Sequence, residues 1–313
     1  MPDYGSLIFA PNKGGFFMIY DSHTHASTLL TEIAESPHYT FDKLINDMNT
    51  HGITKSLVMV NPVFRKFRCP LDVYHKVIVQ DTEQKGILRL YCSVCDKILY
   101  EGPDPTRKYN EELIDNTSNY PNRFFTMLYL LMSNSSIPSE IEYFENKYST
   151  SFTGYKLHPR LSFRELDSII DFPSKRPVIV HIGIDFPEPI TNVNFVRNYQ
   201  GNIILAHVGR FHPELLNLAR TLPNVYIDVS PSSLIYEGRK THICEPFNSK
   251  ISEPADIYRY LIESIGEDKV LFGTDVPWGN YETELDILNS VNLSENTYNK
   301  ITHLNLINAL KTV

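Results

Sequence analysis

The feature that most constrains this chain is a recurrence of short, almost continuous apolar runs, each ended by a polar or small residue. Eight stand out: FFMIYDSHTH, SLVMVNP, RFFTMLYLL, FTGYKLHP, PVIVHIG, NIILAHVG, NVYIDVS and KVLFGTDVP. Most are rich in valine, isoleucine, leucine and aromatic residues and do not alternate with polar ones. Strands of a parallel sheet read this way because both of their faces are covered. Helical patterns separate the runs. FDKLINDMNTHG carries Phe41, Leu44, Ile45 and Met48 at helical spacing and stops at Gly52. PSEIEYFENKY follows the third run, and HPELLNLARTLP follows the sixth with a proline early and another past its end. EPADIYRYLIESIGED precedes the eighth run, and ENTYNKITHLNLINAL closes the series.

The later runs keep step: 25 residues separate Lys156 from His181, and 26 separate His181 from His207. One strand, one helix and two short loops fill about that length. Eight such units predict an α/β fold, a (β/α)8 TIM barrel. A doubly wound open sheet is the rival, but it wants a glycine-rich phosphate turn after an early strand, and the chain has none. Residues from about 62 to 122 are too long for a plain connection and distort the barrel as an insertion after the second strand. They predict a short hairpin and then a helix over PDPTRKYNEELIDNT. In a barrel that loop emerges at the mouth, where it can serve as a lid. The expected organisation is an N-terminal extension over 1–15 and a single barrel domain over 16–313.

Hydrophobic residues make up 42% of the chain and charged ones 21%, which predicts a globular core and excludes disorder. A net charge of −8 without a strongly basic segment argues against nucleic acid as a partner. No apolar run can span a bilayer, and the first residues lack the basic start and apolar middle of a signal peptide. No membrane partner and a cytoplasmic location are therefore expected. Four cysteines do not make a disulfide scaffold. Cys92 and Cys95 form a C-x-x-C that is either half of a structural zinc site, completed by Cys69 and Cys244, or part of a hairpin.

The chemistry starts at DSHTHAS. In a strand, His23 and His25 stand on one face with Thr24 turned away. Paired imidazoles suit a divalent metal, provided other ligands join them. The remaining runs end in Lys156 and His158, in His181, in His207 and in Asp275. A barrel gathers those strand ends at one rim, where histidines and a carboxylate meet the needs of Zn²⁺ or a similar ion. Each residue alone has a blander reading. A strand-end histidine is more often structural, Asp275 could cap a turn, and Lys156 could pair with an acid. Their joint order along one architecture is what favours the metal.

The motifs DSHTH, GYKLHP, VIVHIG, ILAHVGR and LFGTDVPWG, with the terminal LINAL, resemble the amidohydrolase superfamily. They look most like its amidohydrolase-related branch of metal-dependent hydrolases and non-oxidative decarboxylases. The resemblance runs from about residue 18 onward, the insertion aside. It implies that His23, His25 and His181 bind the metal and that Asp275 is an axial ligand able to move a proton. It makes His207 a base or oxyanion stabiliser in a one-metal site and a ligand in a two-metal one. In a two-metal site Lys156 would be carboxylated and bridge the ions. One metal with an unmodified Lys156 is the expected arrangement, Zn²⁺ the expected ion and Mn²⁺ the alternative.

The implied activity is hydrolysis of a small amide, ester or lactone. Decarboxylation of an unsaturated or aromatic acid is the alternative, and a non-catalytic scaffold ranks last because no ligand is missing. Arg160 and Arg210 follow two of the motifs, and a guanidinium suits a carboxylate, so a small anionic substrate is expected. His158 shares the inward face with Lys156, and Trp278 either floors the pocket or packs behind it. A homo-oligomer is compatible with the sequence.

Overall fold

The computed structural model describes residues 18–26, 39–60, 77–84, 86–92, 95–159, 166–169, 171–182, 193–238 and 249–312. Eight parallel strands form one sheet: β1 (Ile19–His25), β2 (Ile53–Met59), β6 (Phe124–Leu130), β7 (Gly154–Leu157), β8 (Val178–Val180), β9 (Ile203–Leu205), β10 (Val225–Asp228) and β11 (Val270–Leu271). Each predicted apolar run contributes one of them. Strands β7 to β11 are buried at every position, as expected where helices cover a parallel sheet.

The last strand is short, but the chain beyond it continues alongside β1. Phe272 O accepts Ser22 N–H at 3.0 Å, His23 O accepts Asp275 N–H at 2.7 Å, and Val276 O accepts His25 N–H at 2.8 Å. The sheet thus closes into a (β/α)8 barrel. The predicted helices appear at Phe41–Thr50, Arg107–Ser118, Ser136–Tyr148, Pro213–Thr221 and Ala255–Ile265. A last helical stretch runs from Glu295 to Ala309, with a π turn at Lys300–Leu304.

Two apolar clusters fill the structure. The larger lies between strands and helices. The smaller takes alternate strand residues, among them Leu57, Met127, Ile179, Ile204 and Leu271, together with Leu306 and Ala309 of the last helix. That alternation marks the inner face of the barrel.

The insertion differs from the expectation of one hairpin. It holds a three-stranded antiparallel sheet of β3 (Val77–Asp81), β4 (Leu88–Cys92) and β5 (Ile98–Gly102), which makes two hairpins. Its anchor is the loop after β6. The Asp81 carboxylate accepts Ser135 N–H at 2.7 Å and also the Ser133 hydroxyl, and Ser135 Oγ donates to Ile87 O at 3.0 Å. Among the described residues, no helix is long and apolar enough to cross a membrane.

Candidate metal centre

The C-terminal ends of the barrel strands carry the site. His23 and His25 lie on one face of β1, ring centroids 5.2 Å apart, and both are buried. Their Nε2 atoms converge on one oxygen, Asp275 Oδ1, at 3.5 Å from His23 and 3.2 Å from His25. Asp275 sits at φ 57°, a left-handed conformation that aspartate tolerates better than most residues. Its turn continues to Gly279, whose N–H donates back to Asp275 O at 3.1 Å. A Cβ at Gly279 would lie 1.8 Å from Thr274 O, so only glycine fits the approach.

Lys156 on β7 is almost fully buried and brings Nζ to 3.3 Å from His23 Nε2. His181, just past β8, stacks on His158 with centroids 3.7 Å apart and planes 13° off parallel. Its Nδ1 lies 2.9 Å from His207 Nε2. His207 Nδ1 in turn lies 2.6 Å from Ser230 O. A carbonyl only accepts, so His207 Nδ1 carries the hydrogen and neutral His207 has a bare Nε2. His181 Nδ1–H must then donate to it. That leaves His181 Nε2 with a lone pair, and this atom is buried with no hydrogen-bond partner.

Burial sets the protonation states. It holds His23, His25 and His181 well below the usual imidazole range, with nearby Lys156 adding to the effect in each, and it lowers His207 too. Neutral imidazoles are what a metal needs. Burial pushes the Asp275 carboxyl up to about 6 and brings Lys156 down to about 8.

The fit to a divalent ion rests on donor chemistry. His23, His25 and Asp275 present one ligand atom each, all within 4.8 Å of one another. A second group, His23, His207 and Asp228, meets the same limit, and both lie at this rim. Among the described residues no other such group occurs, so Cys92 and Cys95 are in none. Cys92 is buried at the end of β4 and Cys95 lies in the following turn, while Cys69 and Cys244 fall outside the described residues. His181 belongs to neither group, although its free lone pair suits ligation.

Of the expected substrate residues, Trp278 sets its ring edge-on to His25 with centroids 4.9 Å apart and is 36% exposed. Arg210 lies on the turn that follows β9. Arg160 lies outside the described residues.

Two features escape the strand-end pattern. His207, by simple alternation from Ile204, would face the helices. A left-handed turn over His207–Phe211, with φ between 52° and 57° throughout, redirects it. Left-handed backbone costs about 1–2 kcal/mol per non-glycine residue, and such strain clusters at functional sites. On β1 the pairing register with β2 shifts between Asp21 and Thr24, and this irregularity puts both histidines on the inner face although Tyr20 also points there.

Two buried carboxylates carry roles that the motifs did not assign. Asp21 Oδ1 accepts the N–H groups of His23 and Thr274, each at 3.0 Å, and its other oxygen takes the Thr274 hydroxyl. It stitches β1 to the strand end bearing Asp275. Asp228 ends β10 and contacts His23 Nδ1 at 2.9 Å. The same strand-end rule that selected Asp275 could have found it, and Asp21 opens the DSHTH motif itself.

Fold and rim together define a TIM barrel with a histidine–carboxylate centre at its strand C-termini. The amidohydrolase family model matches residues 147–305, just over half of the sequence, and the chain belongs to that enzyme family. No curated protein matches the chain. Solved structures show the same fold at low identity. One is a probable 2-pyrone-4,6-dicarboxylic acid hydrolase from Acinetobacter baumannii with citric acid bound, 13% identical, with a TM-score of 0.57, covering 93% of this chain and 98% of its own. Another is 5-carboxyvanillate decarboxylase from Sphingomonas paucimobilis, 10% identical, with a TM-score of 0.60, covering 95% and 100%. A dihydroxybenzoic acid decarboxylase from Polaromonas, with bound manganese and the inhibitor 2-nitroresorcinol, is 15% identical, with a TM-score of 0.58, covering 94% and 96%.

Proposed function

We propose that this chain is a metal-dependent hydrolase of a small, carboxylate-bearing amide, ester or lactone, with one divalent ion at the barrel rim. The observation that carries the reading is the convergence of His23 Nε2 and His25 Nε2 on Asp275 Oδ1 in a buried setting where the imidazoles stay neutral. His23, His25 and Asp275 would hold the ion, with His181 Nε2 as a fourth donor. Zn²⁺ suits this set, and Mn²⁺ is equally favoured by the manganese in the Polaromonas structure. When bound, the ion supplies Lewis acidity toward water and toward a substrate oxygen.

Within that frame Asp275 is the proton carrier. Burial raises its carboxyl in the metal-free site, and beside the ion its oxygen would take a proton and pass it to a leaving group. His207 is the second proton-handling or oxyanion-facing group, and its Nε2 acts on a substrate once the hydrogen bond from His181 Nδ1 opens. One metal is favoured over two because both His207 nitrogens already have hydrogen-bond partners. Arg210 and Arg160 would hold the substrate carboxylate, with His158 and Trp278 lining the pocket. The inserted sheet would border the mouth, since its anchor is a loop at the C-terminal end of β6.

Decarboxylation of an unsaturated or aromatic acid is the second reading, favoured by the decarboxylases that share this fold over nearly the whole chain. The deciding experiment assays the Zn²⁺- and Mn²⁺-loaded protein against lactones, amides and aromatic or unsaturated acids, following acid release and CO₂ separately. Acid release without CO₂ is the expected result. CO₂ release alone moves the assignment to the second reading, and no metal uptake removes both.

A further inference from the structure

The rim contains a carboxylate that no step of the proposed chemistry uses. Asp228 is fully buried at the end of β10 and contacts the two halves of the site through different oxygens. Oδ2 lies 2.9 Å from His23 Nδ1. Oδ1 accepts three hydrogen bonds, from His207 N–H at 3.0 Å, Ser230 N–H at 3.1 Å and Ser230 Oγ–H at 2.6 Å.

We propose that Asp228 is a positioning residue that fixes the hydrogen positions of three imidazoles, so that the Nε2 lone pairs of His23 and His181 are presented for ligation. The proposal rests on the metal-centre reading for its consequence, not for its geometry. A carboxylate only accepts, so His23 must donate from Nδ1 and keep Nε2 bare. On the opposite side of the ring the nearer group to His23 Nε2 is the Lys156 ammonium, which only donates, at 3.3 Å, with Asp275 Oδ1 farther at 3.5 Å. Oδ1 acts at one remove. By holding both the N–H and the hydroxyl of Ser230, it sets the Ser230 carbonyl against His207 Nδ1. That carbonyl fixes the hydrogen on His207 Nδ1, which makes His207 Nε2 the acceptor for His181 Nδ1–H and leaves His181 Nε2 bare. Partners beyond the ligands routinely orient metal-binding histidines in this way. Here one carboxylate serves two strands.

Asp228→Asn tests this with an internal control. The three donors around Oδ1 include two backbone N–H groups that cannot accept. The asparagine oxygen must therefore stay on that side, and its NH₂ must face His23 Nδ1. His23 is then forced to accept at Nδ1 and to carry its hydrogen on Nε2, toward the ligand position. The His207 and His181 hydrogens should not move.

The measurement is imidazole ¹⁵N NMR of the metal-free protein labelled at histidine, with His23 assigned from a His23→Gln sample. Titration with Mn²⁺ and Zn²⁺ gives the metal Kd. Wild type should show His23 as the Nδ1–H form, and Asp228→Asn should show the Nε2–H form. The variant's metal Kd should rise roughly 10–100-fold, with His181 and His207 unchanged. A folded Asp228→Asn that keeps Nδ1–H on His23 and wild-type Kd overturns the proposal. If the variant does not fold, the wild-type spectrum decides: Nδ1–H supports the role and Nε2–H overturns it. If wild type binds neither ion while the hydrogen still moves in the variant, the metal reading fails and the positioning role stands.

Discussion

His23, His25 and Asp275 meet across the seam where the barrel closes. Backbone hydrogen bonds hold them there: His23 O takes Asp275 N–H and Val276 O takes His25 N–H. His181 and His207 stand a few ångströms away on neighbouring strands and are held differently, by ring stacking, by a chain of side-chain hydrogen bonds and by a left-handed turn. The seam half is tied into the backbone hydrogen bonds of the barrel, and its ligand atoms already lie close together without an ion. The other half can rearrange by exchanging one hydrogen bond. A backbone-held triad suits an ion that demands fixed distances, with His181 Nε2 as a further donor, while His207, held by side-chain hydrogen bonds, suits a group that must follow a substrate through a reaction.

The sharpest way to break that contrast is at the seam. Asp275→Asn should lower kcat by roughly 10³-fold or more, since it removes both a ligand and the proton carrier, several kcal/mol of stabilisation. Metal analysis of the purified variant should show the ion depleted beside wild type. Full metal occupancy with near-normal turnover would place Asp275 outside the chemistry.

Next in size is the adjustable half. His207→Asn should cost on the order of 10² in kcat while metal content stays near wild type. Its melting temperature should change little. A loss of metal equal to that in Asp275→Asn would erase the distinction between the halves and point to a two-metal site.

A smaller effect is expected at the mouth. Arg210→Met should raise KM for an acid substrate about tenfold, the worth of one charge-assisted hydrogen bond, and leave KM for its neutral ester alone. Equal changes for both substrates would mean that Arg210 shapes the left-handed turn and does not meet the carboxylate.

The smallest effect concerns pH. Asp275 has a folded-state pKa of about 6, above the ordinary 3.8, so burying it stabilises the metal-free fold fully below the ordinary value. That contribution is lost as pH rises toward and through 6. Asp275→Asn, which cannot ionise, should therefore gain on metal-free wild type between pH 4 and pH 6, by about 2–4 °C in melting temperature. A constant difference over that window would show the carboxyl to be unperturbed. The buried histidines, held low, act in the opposite direction, and because His207 and Lys156 feel the Asp275 charge, the difference reads Asp275 together with these neighbours.

Much of this was legible in the sequence because parallel strands buried on both faces announce themselves as unbroken apolar runs. All eight barrel strands and the main helices fall where those runs and the helical periodicities put them. The inserted sheet was harder to read. Its strand β4 alternates buried and half-buried residues and β5 has no buried residue, so the apolar signal is diluted and two hairpins passed for one. The residues that could carry chemistry were also legible, since a polar group at the end of an apolar strand needs a reason. Applied without exception, that rule would have added Asp228.

What tertiary structure alone decided is which face each side chain takes and which nitrogen of each imidazole is bare. Alternation along β9 places His207 among the helices, and only the left-handed turn after Ala206 brings it to the rim. The register shift in β1 does the same for His23 and His25. No local propensity encodes these phase changes, because they are selected by closure of the barrel around Asp21 and Thr274, partners more than 250 residues apart. Hydrogen positions are equally non-local. The sequence determined that histidines and carboxylates would gather at one rim. Contacts between β1 and β10, and between β8 and β9, decided which lone pairs face inward, because an imidazole's tautomer follows from the partner on its far side.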